Sequence, residues 1–380
     1  MRIAIVGCGY VANFYLRTLS LYPELQLIGV MDRNEQRARK FSEYFLTHCF
    51  RSLDEILENP RVELVVNLTN PASHFAVSKA CLEAGKHVYS EKPLALSFAE
   101  AKHLTDLAEH KGLHISSAPS RVLAETAQTM WKALRENVIG DAYLTYAEMD
   151  DGLVHRMQYR KWVNELGTAW PYQNEFETGC TLEHAGYVVS LLTAFFGPVQ
   201  TVRAFSSVRI PDKTPELPAE ANAPDFSLAC LKFVSGMVAR LTCSIVAPAD
   251  HSIRIFGSDG ILCTDDIWKP RAPVYVKRSI RIRRRTVSLP WKNHYPLVGP
   301  PVALARAQVR RLGGKKVDYC LGIVEMAAAI CESRPCRLSA QYCLHHDEVV
   351  LAIHHALETG SLYTVTTSFD PLEPMPWATF

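Results

Sequence analysis

The amino-acid sequence predicts an α/β protein: an N-terminal Rossmann domain with a doubly wound parallel sheet, then a C-terminal α+β domain with a large, mostly antiparallel open sheet. Three observations support this prediction. β-Type runs alternate with helical patterns over the first third of the chain, a glycine motif separates the first strand from the first helix, and longer β-type stretches follow. Because 380 residues exceed what one hydrophobic core usually organises, we place the domains at residues 1–120 and 121–380.

The N-terminal domain combines five predicted strands with five predicted helices. The strands lie at residues 2–6, 25–31, 63–68, 87–90 and 113–117, and the helices at 11–21, 34–45, 52–57, 72–84 and 97–111. Ser52 and Ser97 are predicted N-caps, since a glutamate follows each of them three residues later. Short connections between alternating strands and helices indicate a parallel sheet with right-handed crossovers.

The C-terminal domain shows longer β-type stretches. They lie at residues 142–149, 199–208, 228–233, 237–246, 252–256 and 274–289, with helices at 123–135, 317–333 and 340–359 and a proline-rich loop at 211–224. We expect the last helices to return to the Rossmann domain. Basic residues between 277 and 285 alternate with Ile280 and Ile282, which is typical of a solvated sheet face; binding to an anionic partner is the alternative.

Composition excludes several classes of protein. The net charge of +2 gives no field that favours nucleic acid or a membrane surface, so we expect neither partner. The first residues do not read as a signal peptide, and no apolar run reaches the length of a membrane helix. The eleven cysteines are scattered without CxxC pairs, which predicts reduced thiols, no metal site and a cytoplasmic protein.

Residues 7–12 read Gly-Cys-Gly-Tyr-Val-Ala, which matches the G-x-G-x-x-A fingerprint of dinucleotide sites. The motif follows a strand and opens a helix, as the chemistry requires. Gly7 permits the tight turn, and Gly9 lets the backbone approach the pyrophosphate at the helix N-terminus. Tyr10 and Val11 complete the predicted cofactor loop.

Asp32 ends the second strand at the distance where a carboxylate binds the ribose hydroxyls of NAD. A 2′-phosphate beside this carboxylate would be repelled, so NAD is the predicted cofactor. Arg33 follows directly and could stack on adenine or neutralise a 2′-phosphate, which leaves NADP as the alternative.

Two further motifs follow predicted strands: Thr69-Asn70-Pro71-Ala72-Ser73-His74 and Glu91-Lys92-Pro93. With the glycine motif and the stretches at 334–340 and 373–378, they make the chain resemble the glucose-fructose oxidoreductase / inositol dehydrogenase / MocA family over its whole length. By this resemblance Lys92 reaches the reacting hydroxyl and the nicotinamide ribose. Thr69, Asn70 and Glu91 would lie along the cofactor, as would His74, for which a structural role is equally open.

The family pattern breaks in the second domain. The family carries D-x-G-x-H on a helix there, but when Gly186 is aligned, His184 stands at the aspartate position and Val188 at the histidine position. We therefore predict that His184 transfers the proton and that Tyr187 donates to a substrate oxygen. Further candidates for substrate contact are Tyr172, Glu175 and Thr181.

These features predict an NAD(P)-dependent oxidoreductase that moves hydride between nicotinamide and a secondary alcohol or ketone of a sugar, sugar nucleotide or cyclitol. Two enzymatic alternatives stay open: redox-assisted lyase or glycosidase chemistry, and imine reduction. A nicotinamide-binding sensor is the non-enzymatic alternative. By resemblance the C-terminal sheet would join copies of the chain into a dimer or tetramer.

Overall fold

The computed structural model describes residues 1–218, 222–300, 317–357, 360 and 362–379. The chain forms two compact units. Unit 1 consists of Met1–Ser120, Gln158–Thr178 and Asp318–Leu351, and unit 2 of Arg121–Met157, Gly179–Val317 and Ala352–Phe380. Two segments beyond residue 120 thus belong to the N-terminal unit.

Unit 1 contains a six-stranded parallel sheet in the order β3-β2-β1-β4-β5-β6. Its strands are β1 (Arg2–Val6), β2 (Gln26–Met31), β3 (His48–Cys49), β4 (Leu64–Asn67), β5 (His87–Ser90) and β6 (Ile115–Ser117). Every residue of β4 is buried, which is typical of a parallel sheet covered on both faces. The short strand β3 was not predicted from the sequence.

Two helices of unit 1 begin at the N-caps that the sequence indicates, Ser52 and Ser97. The helices of this unit are α1 (Ala12–Leu19), α2 (Glu35–Phe45), α3 (Leu53–Glu58), α4 (Pro71–Glu83), α5 (Phe98–His110), α7 (Tyr172–Thr178), α9 (Leu321–Cys331) and α10 (Ala340–His354), whose last residues, from Ala352, belong to unit 2. Ser52 and Ser97 accept hydrogen bonds from the amides of Glu55 and Glu100, as predicted. The helix predicted at 340–359 ends earlier, and its last two positions lie outside the described residues.

Unit 2 contains a ten-stranded sheet in which only β7 and β10 are paired in parallel among the described strands. The strands are β7 (Ala142–Asp150), β8 (Val199–Ser207), β9 (Phe226–Phe233), β10 (Val238–Ser244), β11 (Ile253–Gly257), β12 (Gly260–Thr264), β13 (Val274–Ile282), β14 (Arg285–Ser288), β15 (Asn293–Tyr295) and β16 (Leu362–Thr364). Burial alternates along β9, so one face of the sheet packs and the other is exposed.

The helices α6 (Glu125–Arg135) and α8 (Gly186–Phe196) belong to unit 2. The two sheets confirm the predicted fold class. The prediction of one strand at 274–289 was wrong, because the chain turns at Arg283 and Arg284 and pairs β13 with β14. That turn contains no glycine, asparagine or proline, which is why the sequence did not indicate it. Within the described ranges, no helix is both long and apolar enough to span a bilayer.

Candidate active site

The glycine loop between β1 and α1 has the geometry of a dinucleotide cradle. Gly7 has a φ of +100°, and a Cβ there would lie 2.5 Å from the carbonyl oxygen of Leu68. Glycine is therefore required for the close contact between this loop and the end of β4. A Cβ on Gly9 would meet nothing within 4 Å, which leaves room beside the backbone where a pyrophosphate is expected.

Asp32, at the end of β2, is buried and turned towards this loop. Its carboxylate accepts hydrogen bonds from the backbone amides of Cys8 (2.9 Å) and Asn34 (2.7 Å). Arg37 Nη1 lies 3.4 Å from the same carboxylate. A carboxylate accepts about four hydrogen bonds, so these donors fix its position and leave capacity for a ribose hydroxyl. Arg33 is exposed and has no ion pair within the described part of the chain.

Tyr10 and Val11 immediately precede α1, where the predicted cofactor loop meets the helix. The Tyr10 ring is half-buried and packs edge-on against Phe14, with 5.4 Å between the ring centroids. Val11 is the N-cap residue of α1. The amides of this first helical turn point towards the loop, which is the arrangement that binds phosphate.

The end of β4 holds the segment that contains Thr69 and Asn70. The hydroxyl of Thr69 donates to Asn67 Oδ1 (2.7 Å), and the Asn67 amide donates to the carbonyl of His74 and the hydroxyl of Ser78. Asn67 is fully buried. It therefore fixes the turn that leads from β4 into α4 and positions Thr69 at the carboxyl edge of the sheet.

His74 joins the ends of two strands. Its Nδ1 lies 2.6 Å from the carbonyl oxygen of Pro93, and its Nε2 lies 2.9 Å from that of Thr69. The ring is completely buried. This placement supports the structural role left open above, and direct contact with the cofactor stays a prediction that the burial does not favour.

Glu91 and Lys92 follow β5 at the same edge of the sheet. The Glu91 carboxylate accepts a hydrogen bond from the Tyr15 hydroxyl (2.7 Å) and one from the Lys92 amide (3.1 Å). The peptide bond between Lys92 and Pro93 is cis. Glu91 is buried and Lys92 half-buried, so the glutamate holds the loop from which the lysine projects.

Residues 158–178 lie against the cofactor edge of unit 1. The Asn164 amide donates to the carbonyl oxygen of Tyr10 (3.5 Å), and the Asn70 amide donates to Asn174 Oδ1 (3.2 Å). The segment thus contacts both the glycine loop and the loop after β4. Tyr172 and Glu175 lie half-buried on α7, in this same segment.

In unit 2, His184 contacts an aspartate that the sequence did not single out. Its Nδ1 lies directly against Oδ2 of Asp151, which follows β7. Both side chains are largely buried. A carboxylate at Nδ1 orients the imidazole and stabilises its charged form, which leaves Nε2 as the nitrogen for proton exchange with a substrate.

Three more side chains complete this cluster. His251 Nε2 lies 2.8 Å from Asp151 Oδ1, and Trp268 Nε1 donates to that oxygen at 3.0 Å. Trp268 Nε1 also lies 2.8 Å from His251 Nε2; the carboxylate is the stronger acceptor, so both nitrogens donate to it. Tyr187 packs on the Trp268 indole, with 4.5 Å between ring centroids.

The charge of Asp151 is fixed by these neighbours. Burial raises the pKa of the carboxyl, but the positive charge of His184, its ring hydrogen bond and the two further donors outweigh burial. They hold the pKa of Asp151 well below its ordinary value. Asp151 is therefore the anion that faces both histidines of the cluster.

The chain around His184 is a π-helix at Thr181–Ala185, and α8 continues from Gly186. The sequence pattern indicated a regular α-helix, but wide turns of this kind cannot be predicted from helical periodicity. Thr181 is fully buried, and its hydroxyl donates to the hydroxyl of Ser227 on β9 at 3.0 Å. Its contact with substrate stays a prediction that this packing does not support.

Sequence reasoning missed Asp151, His251 and Trp268, which come from three separate loops. One signal was present: each lies just outside a β-type stretch of the second domain, where loop side chains gather. Spacing could not show that these loops meet. Within the described ranges, no group of three or more His, Cys, Asp or Glu side chains is placed to hold a metal ion.

Comparison with known proteins gives two matches of family models. The model of an oxidoreductase family with an NAD-binding Rossmann fold matches residues 1–118. The model of the GFO/IDH/MocA C-terminal domain matches residues 127–263. The matched residues include the glycine loop, the Glu-Lys-Pro loop and, from the cluster, Asp151, His184 and His251. Trp268 lies beyond the second match.

Individual relatives are distant. The trans-1,2-dihydrobenzene-1,2-diol dehydrogenase of Mus musculus is 26% identical over 273 residues, 71% of this chain and 76% of that enzyme. The myo-inositol 2-dehydrogenase of Thermotoga maritima is 22% identical over 271 residues, with 70% and 76% covered. The WlbA dehydrogenase of Bordetella pertussis, solved with NADH and UDP-GlcNAcA, is 16% identical and covers 97% of this chain and 98% of its own, with a TM-score of 0.73. That likeness shows the fold.

Proposed function

The chain belongs to the glucose-fructose oxidoreductase / inositol dehydrogenase / MocA family of oxidoreductases, and we propose that it moves hydride between a nicotinamide dinucleotide and a secondary alcohol or ketone. The observation that carries this proposal is the buried pair of Asp151 and His184. Oxidation of an alcohol by hydride transfer releases a proton, and an imidazole oriented by a carboxylate is a suitable acceptor for it.

The residues of unit 1 fit the cofactor. The open space at Gly9 admits the pyrophosphate, and the fixed carboxylate of Asp32 suits ribose hydroxyls. The negative charge of Asp32 opposes a 2′-phosphate, which favours NAD over NADP. Bound nicotinamide supplies the carbon that accepts or gives the hydride.

Lys92 is the candidate group of unit 1 for the reacting oxygen. It follows a parallel strand at the edge where α/β proteins bind ligands. A lysine there polarises a carbonyl oxygen or stabilises a developing alkoxide. Glu91 and Tyr15 keep its loop in place. Lys92 and His184 are therefore the two candidates for handling the proton, and substitution distinguishes them.

The substrate we propose is a sugar, sugar nucleotide or cyclitol. Relatives of this chain are named for a cyclitol and for a dihydrodiol, both of which carry neighbouring hydroxyls. The half-buried Tyr172 and Glu175 offer an aromatic face and a carboxylate, which suit stacking and paired hydroxyls.

Location and assembly are proposed on separate grounds. All eleven cysteines are free thiols, which favours the reducing cytoplasm. The exposed face of the unit 2 sheet is the proposed contact between copies of the chain.

The test is a panel of cyclitols, sugars and sugar nucleotides incubated with NAD⁺ or NADP⁺ and followed at the nicotinamide absorbance. We expect oxidation of a secondary alcohol, faster with NAD⁺, and a fall of about 10²-fold or more in His184→Ala with cofactor affinity retained. Product formation without NADH accumulation would favour the lyase or glycosidase alternative. Cofactor binding without turnover on any substrate would favour a sensor.

A further inference from the structure

Positive charge is concentrated in one stretch of unit 2. Residues 267–317 contain 14 of the 41 Lys and Arg residues, whereas all 39 Asp and Glu residues lie outside this stretch. The net charge of +2 therefore hides a strongly basic region on an otherwise acidic chain. Such charge asymmetry indicates a polyanionic partner, which the whole-chain charge could not reveal.

The described part of this stretch contains the hairpin of β13 and β14, at one edge of the ten-stranded sheet. Val274 and Val276 on β13 are buried, and the same face of the strand continues outwards through the exposed residues Arg278, Ile280 and Ile282. Ile280 is paired with Val287 across the hairpin, so the three aliphatic side chains share one face. Their exposed fractions are 43% for Ile280, 52% for Ile282 and 43% for Val287.

Cations lie on both faces of the hairpin and in its turn: Arg285, paired with Ile282, shares the aliphatic face, and Arg281, paired with Thr286, lies on the opposite face. The hairpin carries Arg281, Arg283, Arg284 and Arg285, all exposed. None of these four forms an ion pair with any residue that the structure describes. By contrast, Lys292 at the base of the hairpin binds Asp265 and packs on Tyr275, with 4.2 Å from its Nζ to the ring centroid. The four arginines are thus uncompensated charges at the turn end of the hairpin, within the described part of the chain.

Charge decides which partner suits this surface. A second copy of the hairpin would bring four arginines against four, and like charges on an edge strand oppose such pairing. Residues 301–316 add five cations and no acidic residue, so their charge does not complement the hairpin either. A nucleic acid would match the charge, but aliphatic side chains gain nothing in a groove lined by phosphate and water.

We propose that the hairpin of β13 and β14 docks the protein on a lipid bilayer surface that carries anionic headgroups. The arginines would lie among the headgroup phosphates, and Ile280, Ile282 and Val287 would enter the boundary of the acyl chains. Basic residues near an anionic surface and a small inserted apolar face are together the two signals that reversible membrane docking requires. This inference revises the expectation, based on net charge alone, that no membrane partner exists.

The test is co-sedimentation of the full chain with phosphatidylcholine vesicles, with or without about 30% phosphatidylserine. We expect binding only to vesicles with phosphatidylserine and its loss as salt is raised. Each basic residue near such a surface contributes about fivefold to partitioning, so changing Arg281, Arg283, Arg284 and Arg285 together to Ser should weaken binding more than about 100-fold. Ile280→Ser with Ile282→Ser should weaken it about tenfold.

A control variant removes the same charge from helices and loops of unit 1, by changing Arg39, Arg61, Lys79 and Lys102 to Ser. It should bind vesicles within about threefold of the parent chain, since these cations lie on another unit. Thermal unfolding and NADH binding report whether each variant is folded.

Four results would overturn the proposal. Equal loss in the control variant, or equal binding to both kinds of vesicle, would show that the hairpin does not recognise an anionic surface. A changed molar mass of the hairpin variants in light scattering would make the hairpin a contact between copies of the chain. Binding to single-stranded RNA that needs the arginines but not the isoleucines, without vesicle binding, would assign the surface to nucleic acid.

Discussion

The cofactor site of unit 1 and the His184 cluster of unit 2 each contain a buried carboxylate, but different kinds of hydrogen-bond donor fix the two carboxylates. In unit 1, the Asp32 carboxylate accepts hydrogen bonds from two backbone amides, those of Cys8 and Asn34. In unit 2, Asp151 contacts His184 and receives ring hydrogen bonds from His251 and Trp268. A backbone donor survives any substitution that leaves the chain path intact, whereas a side-chain donor is lost with one residue. The cofactor site should therefore be sensitive mainly at its glycines, and the His184 cluster at each of its members.

The largest expected effect on stability and cofactor binding is in the glycine loop. Gly7→Ala places a Cβ 2.5 Å from a carbonyl oxygen at a positive φ, so we expect a loss of about 3 kcal/mol of unfolding free energy and more than about 100-fold weaker NADH binding. Gly9→Ala is the matched control: its Cβ meets nothing, so stability should change by less than about 1 kcal/mol while NADH binding still weakens. Urea unfolding and fluorescence titration measure both. Full NADH affinity in Gly9→Ala would indicate that the pyrophosphate does not bind beside Gly9.

Protonation of one half-buried histidine in each unit should lower stability in acid. Burial, with a smaller contribution from a neighbouring histidine, lowers the pKa of His87 in unit 1 and of His354 in unit 2 to about 4. The unfolded chain, with a pKa near 6.5, takes up protons first as pH falls. The stabilisation is thus complete above about pH 6.5 and is lost towards pH 4, on the order of 2 kcal/mol for each ring after allowance for its exposed part.

Urea unfolding at pH 7 and pH 5 checks this expectation. His87→Gln and His354→Gln should each flatten the pH dependence, because glutamine does not titrate. If the two units unfold in separate steps, each variant should affect only the step of its own unit. An unchanged pH dependence in both variants would mean that other groups control acid unfolding.

A single donor in the cluster should have a moderate effect on turnover. Trp268→Phe removes the indole N–H that donates to Asp151 but keeps an aromatic ring against Tyr187. The loss of a hydrogen bond to a charged acceptor predicts a fall of about tenfold in turnover, with NADH affinity unchanged. Trp291→Phe is the control, since that ring is exposed. Equal turnover in the two variants would indicate that Trp268 contributes packing alone and that its hydrogen bond to Asp151 does not affect turnover.

The smallest effect is expected for an exposed side chain next to Asp32. Arg37 is half-exposed, and its Nη1 lies 3.4 Å from the carboxylate, so the ion pair is weak. Arg37→Ala should change NADH affinity by less than about threefold, because the two backbone amides still hold Asp32. Titration with NADH measures it. A tenfold loss would show that side chains matter at this site as much as in unit 2.

The sequence indicated the cofactor edge because its parts are local. The glycine motif, Asp32 and the Glu-Lys-Pro loop each lie at the end of a predicted strand, and parallel strands bring such ends to one edge. Nothing comparable exists for Asp151, His251 and Trp268. They are brought to His184 by pairing between strands that are far apart in sequence, and a single sequence does not determine that register.

Two local features also escaped prediction. The π-helix around His184 changes which residues share its face, and helical periodicity does not show such turns. Burial of Thr181 and His74 depends on packing against other elements, so neither could be assigned from its motif. The departure from the family pattern at residues 184 and 188 was visible in the sequence, but the aspartate that accompanies it was not.

In the proposed mechanism Asp151 orients His184 and stabilises its charged form for proton transfer, and turnover of Asp151→Asn tests this role most directly. The rate is measured at saturating NAD⁺ with the best substrate of the panel, beside the NADH dissociation constant of the same preparation. Asparagine keeps the shape but cannot hold the imidazolium, so we predict a fall of about 10³-fold in turnover with unchanged NADH affinity. Turnover within threefold of the parent enzyme, at the same affinity, would contradict the account.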